Sequence, residues 1–142
     1  MRYVLDTNII SEITKPRPDA NCLNWLNEHA SDCCLTTVTL AEMRFGVERL
    51  PDGKRRRALE RMYDFLRRDF REWILDFDEA SATEFGRYAA EYEAARGTKG
   101  LEHADIRDLQ IASIARSLGW TIVTRNTSHF PFCPVVNPFE RA

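Results

Sequence analysis

The sequence lacks long apolar runs, and no stretch of its 142 residues approaches the roughly 20 apolar residues that a membrane-spanning helix needs. The first residues are not expected to form a signal peptide, because the chain turns acidic as early as Asp6. The net charge is only −2, so composition alone does not predict a nucleic-acid-binding protein. The 44% hydrophobic and 30% charged content is typical of a globular protein. We expect one cytoplasmic domain that spans residues 1–142 and has no contact with a membrane.

The sequence has four cysteines without metal-ligand spacing, and it lacks the motifs of several enzyme classes. The four cysteines, Cys22, Cys33, Cys34 and Cys133, show no C-x-x-C spacing. We interpret them as reduced, mostly buried thiols, and a zinc site or disulfide is disfavoured. The chain has no G-x-S-x-G, no P-loop and no G-x-G-x-x-G. Nucleophilic serine or cysteine catalysis therefore has no support in this sequence.

Short apolar strands alternate with amphipathic helices along the chain. The clearest strands are residues 2–5, 33–36 and 121–124, and weaker ones are residues 73–77 and 134–136. Strands separated by helices are typical of a parallel sheet that is covered on both faces. The pattern therefore predicts an α/β fold with a central parallel sheet of four to five strands.

Start and stop signals predict the limits of the helices. Residues 39–42 and 81–84 both have the S/T-x-x-E pattern of a capping box, so helices are expected to begin near Thr39 and Ser81. Gly97 is expected to end the second of these helices, and residues 97–100 to form a loop. Residues 105–118 form a strongly patterned helix that a following glycine ends.

Four acidic residues come where strands end or helices begin: Asp6, Glu42, Asp105 and Asp108. In parallel sheets, ligands bind at the carboxyl ends of the strands, so these side chains are expected to converge there. Carboxylates brought together repel one another unless a cation lies between them. Oxygen-only ligand sets suit Mg²⁺ or Mn²⁺, and such centres commonly cleave phosphodiesters.

Each acid also has a structural explanation. Glu42 is the last residue of a capping-box pattern, and Asp105 and Asp108 belong to a first helical turn, where the macrodipole favours negative charge. Asp6 directly follows a buried strand and must find a helix N-terminus or a cation. Separate caps have no reason to converge on one edge of a sheet, whereas a metal site requires it.

Basic residues are concentrated in one segment, which contains residues 54–57, Arg61, Arg67 and Arg68. This segment is interpreted as a solvated helix face, with a contact to a phosphate backbone or to an acidic protein partner as the alternatives. The histidines have no ligand-spaced partner, and we interpret them, including His129, as surface residues.

Four sequence blocks together resemble one family. Residues 6–11 (DTNIIS), 39–42 (TLAE), 108–112 (DLQIA) and 123–126 (VTRN) occur in the order and context of the PIN domain. The chain resembles the VapC toxins of bacterial type II toxin–antitoxin pairs, including the FitB-like branch, from Met1 to about Phe139. The resemblance implies a single PIN domain that acts as an endoribonuclease dependent on Mg²⁺, with Mn²⁺ as a substitute. It also implies a cognate VapB- or FitA-like antitoxin that neutralises the toxin and mediates any contact with DNA.

The resemblance also assigns roles to individual residues. Asp6, Glu42 and Asp108 match the metal-binding and catalytic acids of the family. Asn126 matches a fourth catalytic position where many relatives have Asp, and an amide there weakens any second metal site. Asp105 lies one turn before Asp108 and either supports it or competes with it.

Further side chains are expected around these acids. Thr7 and Thr124 are candidate hydroxyl partners for water or phosphate. Base selectivity is expected to depend on loops and on basic side chains such as Lys99, Arg107 and Arg125.

The expected partners are the RNA substrate, the antitoxin and a second copy of the toxin. The antitoxin is expected to send an arginine toward the acidic pocket, because a carboxylate cluster offers bidentate pairing. It is also expected to cover an apolar surface on the early helices, formed by Ile9, Ile10, Ile13, Trp25 and Leu26. The homodimer is implied by the resemblance alone.

Three other protein classes compete with the catalytic PIN-domain interpretation. A haloacid-dehalogenase-like phosphatase needs a second Asp two positions after the first, and Asn8 stands there. A receiver domain needs a lysine after its last strand, and residues 135–138 contain none. A PIN domain kept as a non-catalytic RNA- or protein-binding module is the stronger alternative, since Asn126 replaces an acid.

Overall fold

Five short parallel strands form one sheet with β1 at its centre. The computed structural model describes residues 1–140. The strands are β1 (Tyr3–Leu5), β2 (Cys33–Thr36), β3 (Ile74–Leu75), β4 (Thr121–Val123) and β5 (Val135–Val136). Their order is β3-β2-β1-β4-β5, and every pairing is parallel. The strand order reverses between β1 and β4, and such a switch point opens a crevice at the carboxyl ends of the two strands.

The predicted parallel sheet is confirmed, with its edge strands shorter than expected. The strand β2, next to the central strand β1, is buried along its whole length, because helices cover both faces of a parallel sheet. The strand expected at residues 73–77 extends only over β3, and Trp73 and Phe77 on either side of it are exposed.

Helices cover both faces of the sheet, and each face has its own core. Leu35 and Leu66 belong to the first core, and Tyr88 and Ile111 to the second. In the described part of the chain, no helix is long and apolar enough to cross a membrane. The helices are α1 (Thr7–Ile13), α2 (Ala20–His29), α3 (Thr37–Glu48), α4 (Lys54–Asp69), α5 (Glu79–His103) and α6 (Ile106–Leu118).

Part of the expected partner surface lies inside the first core. Ile9 is 0% exposed and Ile10 is 1% exposed, so neither offers surface to another protein. That prediction is wrong for these two residues, because α1 turns them onto the sheet. Ile13, Trp25 and Leu26 are half-buried and pack against the same core.

Two helices begin earlier than their sequence patterns suggest. The N-cap of α3 is Thr36, whose hydroxyl accepts a hydrogen bond from the Thr39 amide at 3.1 Å. The N-cap of α5 is Asp78, whose carboxylate accepts from the Ser81 amide at 2.9 Å. Both capping-box predictions are wrong, because a good acceptor three residues earlier in the chain takes the cap.

Gly97 interrupts α5 and does not end it. Its φ of 79° and ψ of 169° are accessible almost only to glycine, and the chain is helical again as far as His103. The loop expected at residues 97–100 is therefore a further stretch of helix. Arg96, directly before the interruption, donates hydrogen bonds to the Tyr92 hydroxyl at 3.1 Å and the Ser128 carbonyl at 2.9 Å. The kink thus lies next to the hydrogen bond that connects α5 with the loop after β4.

The limits of α6 agree with the sequence prediction. Asp105 is the N-cap, and its carboxylate accepts a hydrogen bond from the Arg107 amide at 2.9 Å. Gly119 ends the helix with a φ of 70°, a conformation that favours glycine. The cap therefore orients the turn on which Asp108 lies.

The cysteines are free thiols, as expected. Cys22, Cys33 and Cys34 are buried, and Cys133 is half-buried. Burial raises the pKa of Cys22 to about 11 and that of Cys33 to about 12, so both are protonated at neutral pH.

Candidate active site

Asp6 lies at the carboxyl end of β1 and is almost fully buried. It is 6% exposed, and its carboxylate accepts hydrogen bonds from the Thr7 amide at 2.7 Å and the Thr124 hydroxyl at 2.9 Å. Burial raises the pKa of Asp6 above its ordinary value, and these hydrogen bonds oppose the rise. Asp6 is therefore a desolvated acid in a fixed orientation, as a metal ligand or helix cap requires.

Asp108 is the second acid of the site and is half-buried. Burial, followed by the charges of Asp6 and Asp105, raises the pKa of Asp108 to about 6. The charge of Asp6 contributes to this rise in pKa, so the two carboxylates lie within electrostatic range of each other. Nδ1 of His129 lies 3.4 Å from Oδ2 of Asp108.

Glu42 joins the site through Thr7. The Thr7 hydroxyl donates to Oε1 of Glu42 at 3.0 Å and also contacts the Thr39 hydroxyl at 2.9 Å. Oε2 of Glu42 lies 3.5 Å from Nη1 of Arg107. Burial raises the pKa of Glu42, while Thr7 and Arg107 oppose this effect. Glu42 therefore faces the pocket and does not cap α3.

The hydroxyl of Thr124 connects three segments of the site. It is fully buried, donates to Asp6, and accepts from Nδ2 of Asn8 at 3.2 Å and from the Asn126 amide at 3.0 Å. Thr7 and Thr124 were expected to contact water or phosphate, and the structure places both hydroxyls against the carboxylates. These contacts hold the ends of β1 and β4 together.

Asp105 and Asn126 lie at the margin of the site. The Asp105 carboxylate caps α6 and binds Arg107 through Nε at 3.0 Å and Nη2 at 2.9 Å. These contacts with Arg107 lower the pKa of Asp105. Asn126 is exposed, and within residues 1–140 its side-chain amide makes no hydrogen bond. The structure thus joins Asp6 and Glu42 through Thr7 and places Asp108 within electrostatic range of Asp6, while Asn126 joins the site through its backbone amide and not through its side chain.

Two basic residues contact the acids in a way that the sequence did not predict. Arg107 was expected only to affect selectivity, yet it pairs with Glu42 and Asp105. His129 is exposed as expected, but it also contacts Asp108. The position of Arg107 one residue before Asp108 was a usable signal, whereas the loop that carries His129 gave none.

The pair Asp6 and Asp108 has the chemistry of a divalent-metal site. Among the side chains of residues 1–140, no three His, Cys, Asp or Glu stand close enough to hold one metal ion together. Mg²⁺ is usually bound through one or two carboxylates, with water completing its shell. A cation would also relieve the repulsion from Asp6 that helps raise the pKa of Asp108. Two carboxylates within electrostatic range of each other therefore fit Mg²⁺ or Mn²⁺, and Glu42 is joined to Asp6 through Thr7.

Open space flanks the carboxylates on two sides. A cavity of about 350 Å³ is lined by Asp105, Asp108 and His129 together with the last turn of α5. A groove of about 400 Å³ runs past Glu42 and Arg107 between α3 and α6. A linear polymer therefore has room to pass over the acids and cations.

Comparison with known proteins decides the family. Residues 3–131 match the family model described as the PIN domain. The chain belongs to the PIN-domain family. The toxin FitB of Neisseria gonorrhoeae is 36% identical over 129 residues, which cover 89% of this chain and 89% of that protein. Ribonuclease VapC2 of Haemophilus influenzae is 33% identical over 130 residues, which cover 92% of this chain and 90% of that protein.

Solved structures agree with this assignment. The chain is similar to one in the structure of FitAB bound to an IR36 DNA fragment, with a TM-score of 0.85 and 33% identity. The match covers 99% of this chain and 97% of that chain. The PIN-domain resemblance, and its VapC and FitB branch, are therefore confirmed over nearly the whole length. The phosphatase and receiver-domain interpretations are excluded.

Proposed function

We propose that this PIN domain is the toxin of a type II toxin–antitoxin pair and acts as a metal-dependent endoribonuclease. The observation that carries the proposal is the group of acids at the carboxyl end of β1, where the buried Asp6 is joined to Glu42 through Thr7 and its charge reaches the half-buried Asp108. Relatives of similar length include the FitB toxin and the VapC2 ribonuclease. The proposed reaction is hydrolysis of RNA phosphodiester bonds.

Asp6 and Asp108 would hold the Mg²⁺ or Mn²⁺ ion. When bound, the cation supplies Lewis-acid activation of water and offsets negative charge on the phosphoryl oxygens. Asp6 is suited to this task because Thr7 and Thr124 fix its orientation. Asp108 lies on the first turn of α6, so the two ligands come from elements that the fold locks together.

Glu42 is proposed to orient the attacking water. Its Oε1 is fixed by the Thr7 hydroxyl, so Oε2 is the atom that accepts a proton from water. A pKa raised by burial makes Glu42 a better proton acceptor than an ordinary glutamate. In this proposal Arg107, which contacts Oε2 at 3.5 Å, turns toward a substrate phosphate when RNA binds.

The partner of the toxin is proposed to be a VapB- or FitA-like antitoxin. A solved structure of a similar chain is named as FitAB bound to DNA. Arg107 already pairs with two carboxylates at the margin of the site, which supports an arginine as the antitoxin side chain that enters the pocket. Contact of the toxin with DNA is proposed to be indirect, through the antitoxin.

The proposal is tested by incubating the purified protein with total bacterial RNA in Mg²⁺, Mn²⁺ or EDTA. We expect cleavage with either metal, none in EDTA, and none by Asp108→Asn with metal. Expression of the wild type should stop growth unless the antitoxin is co-expressed. RNA binding without cleavage in any metal would favour the non-catalytic PIN domain, an alternative supported by the exposed amide of Asn126.

A further inference from the structure

The outer face of α4 carries a continuous basic stripe with one aromatic ring in it. Lys54, Arg57, Arg61, Phe65 and Arg68 follow one another at intervals of three or four residues and are all exposed. This spacing places them on one side of the helix. The stripe extends over about 21 Å, since each helical residue adds about 1.5 Å.

The cations of this stripe have no acidic partners in the fold. Within residues 1–140, Lys54, Arg57, Arg61 and Arg68 have no carboxylate within 4.0 Å. Arg56, on the opposite side of the helix, is different because it pairs with Glu48 and donates to the Leu50 carbonyl just after α3. Arg56 thus has a structural role that the stripe residues lack.

Helix stability does not explain the stripe either. The first turn of α4 contains Lys54 and three arginines, and it has no acid and no side-chain cap. The positive end of the helix macrodipole lies there, so cations at these positions weaken the helix. The solvated-face interpretation therefore leaves Lys54 and Arg57 without a favourable role in the fold.

Charge is distributed unevenly over the molecule. The helix α4 carries seven cations and three acids, a net charge of +4, in a chain whose net charge is −2. Near its end, Arg61, Arg67 and Arg68 line a cleft of about 430 Å³ with a single acid, Asp64. The stripe is therefore a local positive field on an acidic protein.

We propose that the outer face of α4 binds the phosphate backbone of RNA outside the cleavage site. This inference rests on the proposed function, since it gives the ribonuclease a second contact with its substrate. Arginine is suited to phosphate because its guanidinium offers several donors in a rigid fork. Phe65 is 49% exposed within the stripe, and an aromatic ring between cations stacks against a base.

An acidic protein segment is a weaker match for this face. A stable protein interface needs an apolar centre, and Phe65 is the one apolar residue of the stripe. The contacts are backbone contacts, so the surface adds affinity and no base selectivity. It therefore acts with the pocket at Asp108 and does not replace it.

Fluorescence anisotropy with a labelled 30-nucleotide single-stranded RNA tests this proposal. All proteins carry Asp108→Asn so that the probe stays intact, and cleavage by the wild type is measured separately. The test protein adds Arg61→Gln and Arg68→Gln, and the control adds Arg17→Gln and Arg87→Gln, which are exposed cations elsewhere. A further protein with Arg61→Lys and Arg68→Lys keeps the charge.

Loss of two phosphate contacts should lower the salt dependence, the slope of log affinity against log salt, by about 1.4 and weaken binding about 25-fold near 0.1 M salt. The control and the lysine protein should keep the original slope. Equal RNA affinity in the test and control proteins overturns the proposal, whether or not the wild type cleaves RNA. Binding of labelled poly-L-glutamate to the same proteins is measured as a model of an acidic protein segment. If the test protein loses poly-L-glutamate binding and keeps RNA binding, the proposal is overturned, because the stripe would then serve an acidic protein.

Discussion

At the scale of single residues, Asp108 combines burial with a neighbouring negative charge. Its ordinary pKa of 3.8 rises to about 6, so near neutral pH the folded protein holds a carboxylate that is costly to ionise. A carboxyl whose folded pKa exceeds the unfolded value favours the fold at low pH, and this advantage is lost as the pH rises through 6. The site is therefore a source of instability unless a cation binds it.

The first prediction concerns this cost. In EDTA, the free energy of unfolding of Asp108→Asn minus that of the wild type should rise from near zero below pH 4 to about 3 kcal/mol at pH 7. Urea denaturation across this range measures the difference, and Asp52→Asn in the exposed turn before α4 is the control. A difference that stays constant with pH would show that Asp108 has no raised pKa.

The second prediction separates two acids that share one helical turn. Asp105→Ala removes the N-cap of α6 and should lower stability by about 1 kcal/mol while cleavage persists. Asp108→Ala should abolish cleavage because it removes a metal ligand. RNA cleavage at saturating Mg²⁺ is measured at a temperature where both variants are folded. A greater loss of cleavage in Asp105→Ala than in Asp108→Ala would indicate that Asp105, one turn earlier, is the metal ligand.

The sequence predicts the acids of the site better than their neighbours. Convergence of Asp6 and Asp108 follows from their positions at a strand end and a helix start. The contacts of His129 with Asp108 and of Arg107 with Glu42 do not follow, because they depend on the path of a loop and on side-chain rotamers. The direction in which Asn126 points depends on the same loop.

At the scale of elements, the interruption of α5 requires a glycine at position 97 because of its backbone conformation. No heavy atom lies within 4 Å of the place where a Cβ would stand, so space is not the constraint. The constraint is the φ of 79°, which L side chains rarely adopt. Gly86 lies on the same helix with equally open surroundings and regular helical geometry.

The third prediction compares these two glycines. Gly97→Ala should lower stability by about 1–3 kcal/mol because alanine is strained at this φ. Gly86→Ala should raise stability by up to about 1 kcal/mol because alanine is the better helix former. Thermal unfolding of both variants measures the effects. Equal shifts in the same direction would show that Gly97 has no special backbone role.

The order of the elements follows from the sequence, but several of their ends do not. Hydrophobic patterning gives β1, β2, β4 and α6, whose residues are buried in the sheet or against it. The pattern S/T-x-x-E failed for α3 and α5, because Thr36 and Asp78 offer acceptors one turn earlier. Local patterns do not show which of two nearby acceptors becomes the N-cap of a helix, since that depends on where the preceding segment ends.

At the scale of the whole molecule, one exposed apolar face lies next to the site. Phe45 on α3 is 63% exposed and Ile106 on α6 is 58% exposed. Phe45 lines the groove that also contains Glu42 and Arg107. Apolar side chains exposed beside a functional groove mark an interaction surface. The face lies on two helices that one copy of the toxin can present to another.

The fourth prediction is that the proposed homodimer uses this face. Phe45→Ser and Ile106→Ser should each weaken self-association, because they remove apolar area from the interface. Phe132→Ser is the matched control, since Phe132 is 57% exposed but follows β4 and lies on neither helix. Light scattering over a concentration series measures the mass. A toxin that is monomeric throughout, or a control that weakens association equally, would contradict the prediction.

The central claim is that Asp6 and Asp108 together hold the divalent metal. Calorimetric titration of Mn²⁺ into the wild type, Asp6→Asn and Asp108→Asn tests it most directly, with Asp105→Asn as the control for charge alone. We predict that the wild type and the control bind Mn²⁺ with similar affinity, and that each of the other two variants loses at least about 10-fold in affinity. Unchanged Mn²⁺ affinity in Asp6→Asn and Asp108→Asn would contradict the account.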